Sequence, residues 1–367
     1  MPPTIAERRF HNLGLDRPRF DRADEVVGWL VAVQSQDFGP AKWSVAMRAT
    51  DLDDAAMDRA FAEGRILRTH VLRPTWHFVL PADIRWLQQL TGPRVRAAMA
   101  YYDRQLELDR PELTRCRRVI ERALTDTHLT RRDLGAHLAR AGVVAEGQRL
   151  GHILMHCELD AVICSGVPKG KQQTYALVDQ RAPGARTLDD DEALHEFVVR
   201  YFRSHGPAGA KDLQAWSSLP ATQIRRGIEM AADNLEQETF DGITYLSAGG
   251  GRIGKVKAPS AHLLQGYDEY IMGYKETRFW LDVERLAGGA ILDRSVPIGM
   301  VTIDGQLAGH WKRTVARDAL SLEMHLRRKL TTAEKRSLEN VANAHARYLG
   351  LARATIGYRT IARSSRA

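Results

Sequence analysis

Cysteine is scarce in this 367-residue chain: Cys116, Cys157 and Cys164 are the only three. Three thiols without metal-ligand spacing build neither a disulfide framework nor a zinc site, and they fit a reducing cytoplasm. No run of eighteen apolar residues occurs, which excludes a membrane-spanning helix. The opening MPPTIAERRFHNLGLDRPRF lacks the apolar centre of a secretory signal. Lysine is also rare, 10 residues against 43 arginines. GC-rich coding alone produces that bias, so the net charge of +8 is less informative than where the charge lies.

What is present is organised in segments of alternating sign. Residues 1–109 carry 15 basic and 15 acidic side chains, and residues 110–186 carry 13 against 8. Residues 187–248 reverse the balance with 5 against 11, and residues 249–367 restore it with 20 against 11. An α+β chain is expected: three tandem winged helix-turn-helix units over 1–109, 110–186 and 187–248, then a C-terminal β-rich element over 249–367 with a closing helix. The 44% apolar content is enough to fill such cores.

The middle unit shows the plan best. ELTRCRRVIERALTD reads as one helix, and HLTRRDLGAHLARAG as a second, with Thr130 as N-cap, Asp133 in the first turn and Gly142 as stop. QRLGHILMHCELD is a third. Two alternating strands then flank the turn Pro168-Lys169-Gly170-Lys171, so three short helices precede a basic-tipped hairpin. The third unit repeats this, with Asp241-Gly242 as its hairpin turn. Its acidic run, Asp189 to Glu192, stands at a helix start, where the macrodipole favours it.

In the first unit, RADEVVGWLVAV and PAKWSVAMRA read as amphipathic helices. ILRTHVLRPTWHFVLP reads as a hairpin interrupted by Arg73-Pro74-Thr75, and PADIRWLQQL and PRVRAAMAYYDRQL as two further helices. The C-terminal stretch PIGMVTIDGQLAGHWKRTV alternates around Asp304-Gly305. LSLEMHL reads as another strand, and TAEKRSLENVANAHARYLG as the closing amphipathic helix.

Several motifs invite chemistry that the residues do not support. His152 and His156 stand four apart, as zinc ligands on a helix do, but Ile153 occupies the place of the metalloprotease glutamate. A solvated or phosphate-facing pair is expected, with no metal. The glycines of SAGGGRIGKVKAP, at 247–259, lack the lysine followed by serine or threonine of a nucleotide loop, and read as a linker. Tyr267, Tyr270 and Tyr274 read as core aromatics with wet hydroxyls. Lys169 and Lys171 at the second wing tip, with Arg131, Arg132 and Arg149 on its helices, suit contacts to a duplex backbone. Lys42 and Arg73 of the first unit join them as candidate contacts.

The segment VAVQSQDFGPAKW remains. It sets the neutral amides Gln34 and Gln36 around Ser35, with Gly39 and Pro40 close behind. Residues two apart on an unbroken helix diverge, so the pair shares a target only if the helix ends there. Helix-end hydrogen bonding is the plainer reading of the same two residues.

VAVQSQDFGPAKWSVAMR, ILRTHVLRPTWHFVLPADIRWL and LLQGYDEYIMGYKETR with the downstream IDGQLAGHWKR resemble a known family. It is the family of winged-helix proteins that includes the AlkZ-like and YcaQ-like bacterial DNA glycosylases. The resemblance spans about residues 10–360. It implies a glutamine–apolar–glutamine active site, carried onto Gln34-Ser35-Gln36, with serine standing at the apolar position. It implies binding of double-stranded DNA, alkylated or crosslinked, and excision of bulky or cationic alkylated purines by a monofunctional N-glycosyl hydrolase. The remaining expectations are a cytoplasmic monomer, nucleoid-associated on DNA, with no cofactor and no membrane contact. A non-catalytic winged-helix DNA-binding protein or transcription regulator is the alternative reading of the same elements.

Overall fold

In the computed structural model, which describes residues 4–249, 259–283, 299–316 and 318–360, helices alternate with small sheets to give a mixed α+β protein. The glycine-rich stretch at 250–258 lies outside the described residues. Among the described residues no helix is long and apolar enough to cross a membrane.

The first part carries helices Ile5–Asn12, Ala23–Leu30, Phe38–Ala46 and Asp54–Ala62, then the hairpin Leu67–Val71 and Arg73–Val79. Leu72, at φ 64°, makes the hairpin turn, so Arg73 and Pro74 lie inside the second strand rather than interrupting it. The two helices expected after it are one, Ile84–Gln105, with Pro93 inside. Proline removes one backbone donor there, but burial of Trp86, Leu87, Leu90 and Val95 on one face outweighs that cost.

Next come helices Arg110–Leu124, Arg131–Arg140 and Gly147–Leu159, with strands Leu129–Thr130, Ile163–Ser165 and Thr174–Leu177 in one antiparallel sheet. Thr130 and Asp133 cap Arg131–Arg140 reciprocally, as their spacing predicts. Helices Asp190–His205, Ala210–Ser217 and Ala221–Met230 follow, then the hairpin Glu236–Phe240 and Ile243–Ser247. Its turn has Asp241 at φ 50° and Gly242 at φ 74°, the backbone that an Asp-Gly pair supports.

The C-terminal part is a five-stranded sheet, in the order Ala354–Thr360, Leu320–Leu326, Gln306–Val315, Gly299–Ile303, Ala261–Leu264. Helix Thr332–Tyr348 packs on it through Leu338, Ala342 and Ala346. One apolar core runs from the first helices into the third set: Trp86 meets Phe197 edge-on at 6.4 Å, and Phe197 stacks on Trp216 at 5.4 Å. Tyr270 and Tyr274 belong to the same core. Their hydroxyls are not wet; they donate to the carbonyls of Gly305 and His205, both at 2.7 Å.

His345 of the closing helix stacks on Trp43 at 4.3 Å and receives Arg313 at Nε2, 3.0 Å away. Burial, reinforced by the Arg313 charge, pushes its imidazole down to about 3. An unfolded chain takes up that proton below about 6.5, while the folded protein resists until about 3, so stability is lost as pH falls through that window. Between pH 7 and pH 5 the loss from this one residue is about 2 kcal/mol. Urea denaturation at the two pH values is expected to show that share vanish in His345→Phe; an unchanged pH dependence refutes the assignment.

Candidate functional site

The segment around Ser35 is not a helix end. Helix Ala23–Leu30 stops at Val31, whose φ of 71° is sparsely populated for a β-branched residue and costs about 1–3 kcal/mol. Val33–Gln34 then forms a two-residue strand against the hairpin, with Val33 opposite Phe78 and Gln34 opposite His77. Ser35 N–H donates to the Trp76 carbonyl at 2.7 Å. Gly39 and Pro40 do not terminate a helix but sit in the first turn of Phe38–Ala46, where the missing proline donor costs little. A strand therefore positions Gln34, and Gln36 follows in the bend that leaves it.

Three residues distant in sequence hold Gln34, which is 2% exposed. Its backbone N–H donates to Glu269 Oε1 at 3.0 Å, and its carbonyl accepts from Gln265 Nε2 at 3.2 Å. Its side-chain oxygen accepts from Arg73 Nη2 at 2.7 Å. Gln36 is exposed, and its side-chain oxygen faces the Trp76 N–H at 3.4 Å. Arg68 stacks on Trp76 at 4.4 Å and donates to the Ser35 carbonyl from Nε and Nη2, at 3.1 and 2.9 Å. The Ser35 hydroxyl is buried with no partner among the described residues.

Beneath this segment, Glu269 is wholly buried, and its Oε2 accepts from Trp216 Nε1 at 2.8 Å and faces His205 Nε2 at 3.4 Å. Its neighbour Asp268 pairs with Arg48, also wholly buried, through two bonds of 2.8 and 3.0 Å, and Ser44 Oγ donates to it as well. Burial acts to push the Asp268 carboxyl up. The Arg48 guanidinium, the Ser44 hydroxyl and the Tyr270 amide outweigh it and hold it below the ordinary carboxylate range. A hollow of about 410 Å³ opens beside the segment, lined by Asp37, Gln265, Tyr267, Trp311, Lys312 and Arg313.

The candidate duplex contacts divide. Lys169 and Lys171 are exposed at the tip of the second hairpin, and Arg131 and Arg132 are exposed at the start of their helix. Three others turn inward, which corrects their reading as phosphate contacts. Lys42 is buried and pairs with Asp54 and Asp58, at 2.8 and 2.7 Å. Arg149 is half-buried and bonds the Leu106 carbonyl at 2.9 Å and Glu112 at 3.2 Å. Arg73 serves Gln34, the Trp216 carbonyl at 2.7 Å and His77 Nε2 at 3.3 Å. His152 and His156 are not a solvated or phosphate-facing pair. Both bond one carboxylate, Asp103 of the long helix, at 2.7 and 3.0 Å.

Sequence reasoning missed Glu269, Gln265, Asp268 and Arg68. The available signal was Asp268-Glu269, two adjacent acids inside an aromatic stretch. Buried carboxylates require donors, so an acidic pair within a packing segment marks a place where distant donors converge.

The chain matches the description "DNA glycosylase AlkZ-like" over residues 27–348. It is 25% identical over 316 residues to a Streptomyces sahachiroi protein described as "Interstrand DNA cross-link repair glycosylase", covering 79% of this chain and 82% of that relative. The solved structure of "Streptomyces sahachiroi DNA glycosylase AlkZ" superposes with a TM-score of 0.79 at 20% identity, over 97% of this chain and 98% of that one.

Proposed function

Because the chain belongs to the AlkZ-like DNA glycosylase family, we propose that it binds duplex DNA through tandem winged helices and hydrolyses the N-glycosidic bond of bulky or cationic alkylated purines. The relative described as a cross-link repair glycosylase supports the bulky end of that substrate range. The observation that carries the reading is Gln34 on a strand, with Gln36 two residues on and next to Asp37, which lines a hollow with Lys312 and Arg313 in its wall.

The chemistry suits neutral amides. A purine alkylated at N7 or N3 is already cationic, so the C1′–N bond breaks with its electron pair leaving on the base and needs no protonating acid. What remains is to hold a water against C1′ as positive charge develops on the sugar. A carboxamide orients water by hydrogen bonding but does not titrate near neutrality, so it is a poor proton abstractor. The new bond forms from the water oxygen to C1′, and the released proton passes to solvent. Such a site acts on a base that departs easily and poorly on an undamaged one.

Lys169, Lys171, Arg131 and Arg132 supply exposed cations for the duplex backbone on the second unit. The test is release of free base from duplex treated to carry N7- and N3-alkylpurines, measured beside untreated duplex. Release from the treated substrate alone is expected. Binding without any release leaves the protein a DNA binder and refutes the enzymatic reading.

A further inference from the structure

We propose that the two glutamines are not equivalent: Gln34 acts as the hydrogen-bond donor and Gln36 as the acceptor, and Arg73 is the positioning residue that imposes the difference. The inference rests on the proposed glycosylase site. It begins from the inventory of an arginine side chain, which donates and never accepts. Whichever atom of the Gln34 carboxamide stands 2.7 Å from Arg73 Nη2 must therefore be the oxygen. The amide NH₂ is then turned the other way, and it meets no acceptor among the described residues.

Arg73 cannot swing aside to release that oxygen. Its Nη1 is held by the Trp216 carbonyl at 2.7 Å, and its Nη2 also faces His77 Nε2 at 3.3 Å. His77 Nδ1 lies 3.0 Å from the Thr75 carbonyl, which can only accept, so the proton is on Nδ1 and Nε2 is free to receive the guanidinium. Burial, followed by the Arg73 charge, keeps this imidazole neutral by pushing its pKa well below the usual range. Glu269, already bound to the Gln34 backbone, supplies the negative charge that balances the buried guanidinium.

Gln36 is under no such constraint. It is exposed, and its side-chain oxygen lies 3.4 Å from the Trp76 N–H, longer than an ordinary N–H···O bond, while Arg68 reaches only its backbone carbonyl. Its oxygen is free to accept from the attacking water, while the Gln34 NH₂ donates to the water oxygen or to the sugar–phosphate. The charge-assisted bond to Arg73 also draws electron density from the Gln34 oxygen, which weakens it further as an acceptor.

Glutamate substitutions separate the roles, because a carboxylate keeps the acceptors and loses the donor. Single-turnover base release by Gln34→Glu is expected to fall about a hundred-fold, the usual cost of one preorganised donor. Gln36→Glu, which keeps its acceptor oxygens, is expected to lose at least about ten-fold less rate than Gln34→Glu. Arg73 neutralises a carboxylate at 34, so a selective loss there reports the missing donor rather than added charge. Equal loss in both, or retention by Gln34→Glu, overturns the proposal. If Gln34→Ala and Gln36→Ala both release base normally, it is the active-site reading that fails. Arg73→Lys, which keeps a donor-only group, is expected to retain more rate than Arg73→Met at matched duplex affinity. Equal rates in those two variants overturn the role of Arg73.

Discussion

Substituting both Gln34 and Gln36 by alanine is expected to reduce release of alkylated purine by at least about a hundred-fold, with duplex affinity little changed. The magnitude follows from the role proposed for the amides. In the proposed mechanism each contributes hydrogen bonds that orient a water, and removal of one preorganised group of this kind costs about a hundred- to a thousand-fold. A cationic purine also leaves slowly on its own, so the residual signal approaches that uncatalysed rate rather than zero. Affinity is insulated because the exposed cations Lys169, Lys171, Arg131 and Arg132 lie on other elements than the strand that carries Gln34. Release measured against bound fraction, at one salt concentration, separates the two effects. Persistence of release in the double variant moves the active site elsewhere in the chain.

The second large effect is on stability. Asp268→Ala is expected to destabilise the protein by about 3–5 kcal/mol, because it strands the Arg48 guanidinium in a wholly buried place. Arg48 also donates to the carbonyls of Leu13 and Ser44, at 2.7 and 2.6 Å, so the pair ties the N-terminal helices to the segment that carries Gln265 and Glu269. Base release should fall with stability, since those two residues hold the Gln34 backbone. Removing both charges as Arg48→Met with Asp268→Leu should recover much of the loss, for an apolar pair of similar volume carries no desolvation penalty. Chemical denaturation at neutral pH compares the three proteins. A single substitution costing under about 1 kcal/mol shows that the pair is not what secures this segment.

Local patterns were legible from the chain itself. The three-and-four spacing of apolar residues marked the helices between Arg110 and Met230. Thr130 with Asp133 marked a helix start, and Asp241-Gly242 and Asp304-Gly305 marked hairpin turns, all through contacts within a few residues. The pair Gln34 and Gln36 also stood out by type and spacing. The conformation around them did not, because Val31 leaves the helix one turn earlier than its apolar pattern suggests. The hairpin strand Arg73–Val79 supplies the hydrogen bonds that make Val33–Gln34 a strand.

The sequence by itself determined the helices, the turns, the candidate glutamines and the exposed basic hairpin tip, since each depends on neighbours close along the chain. Only the tertiary structure decided that Lys42, Arg73 and Arg149 face inward and that Glu269, 235 residues away, holds Gln34. The reason is that a buried charge takes whichever partner the fold brings within reach, and sequence separation carries no record of that distance.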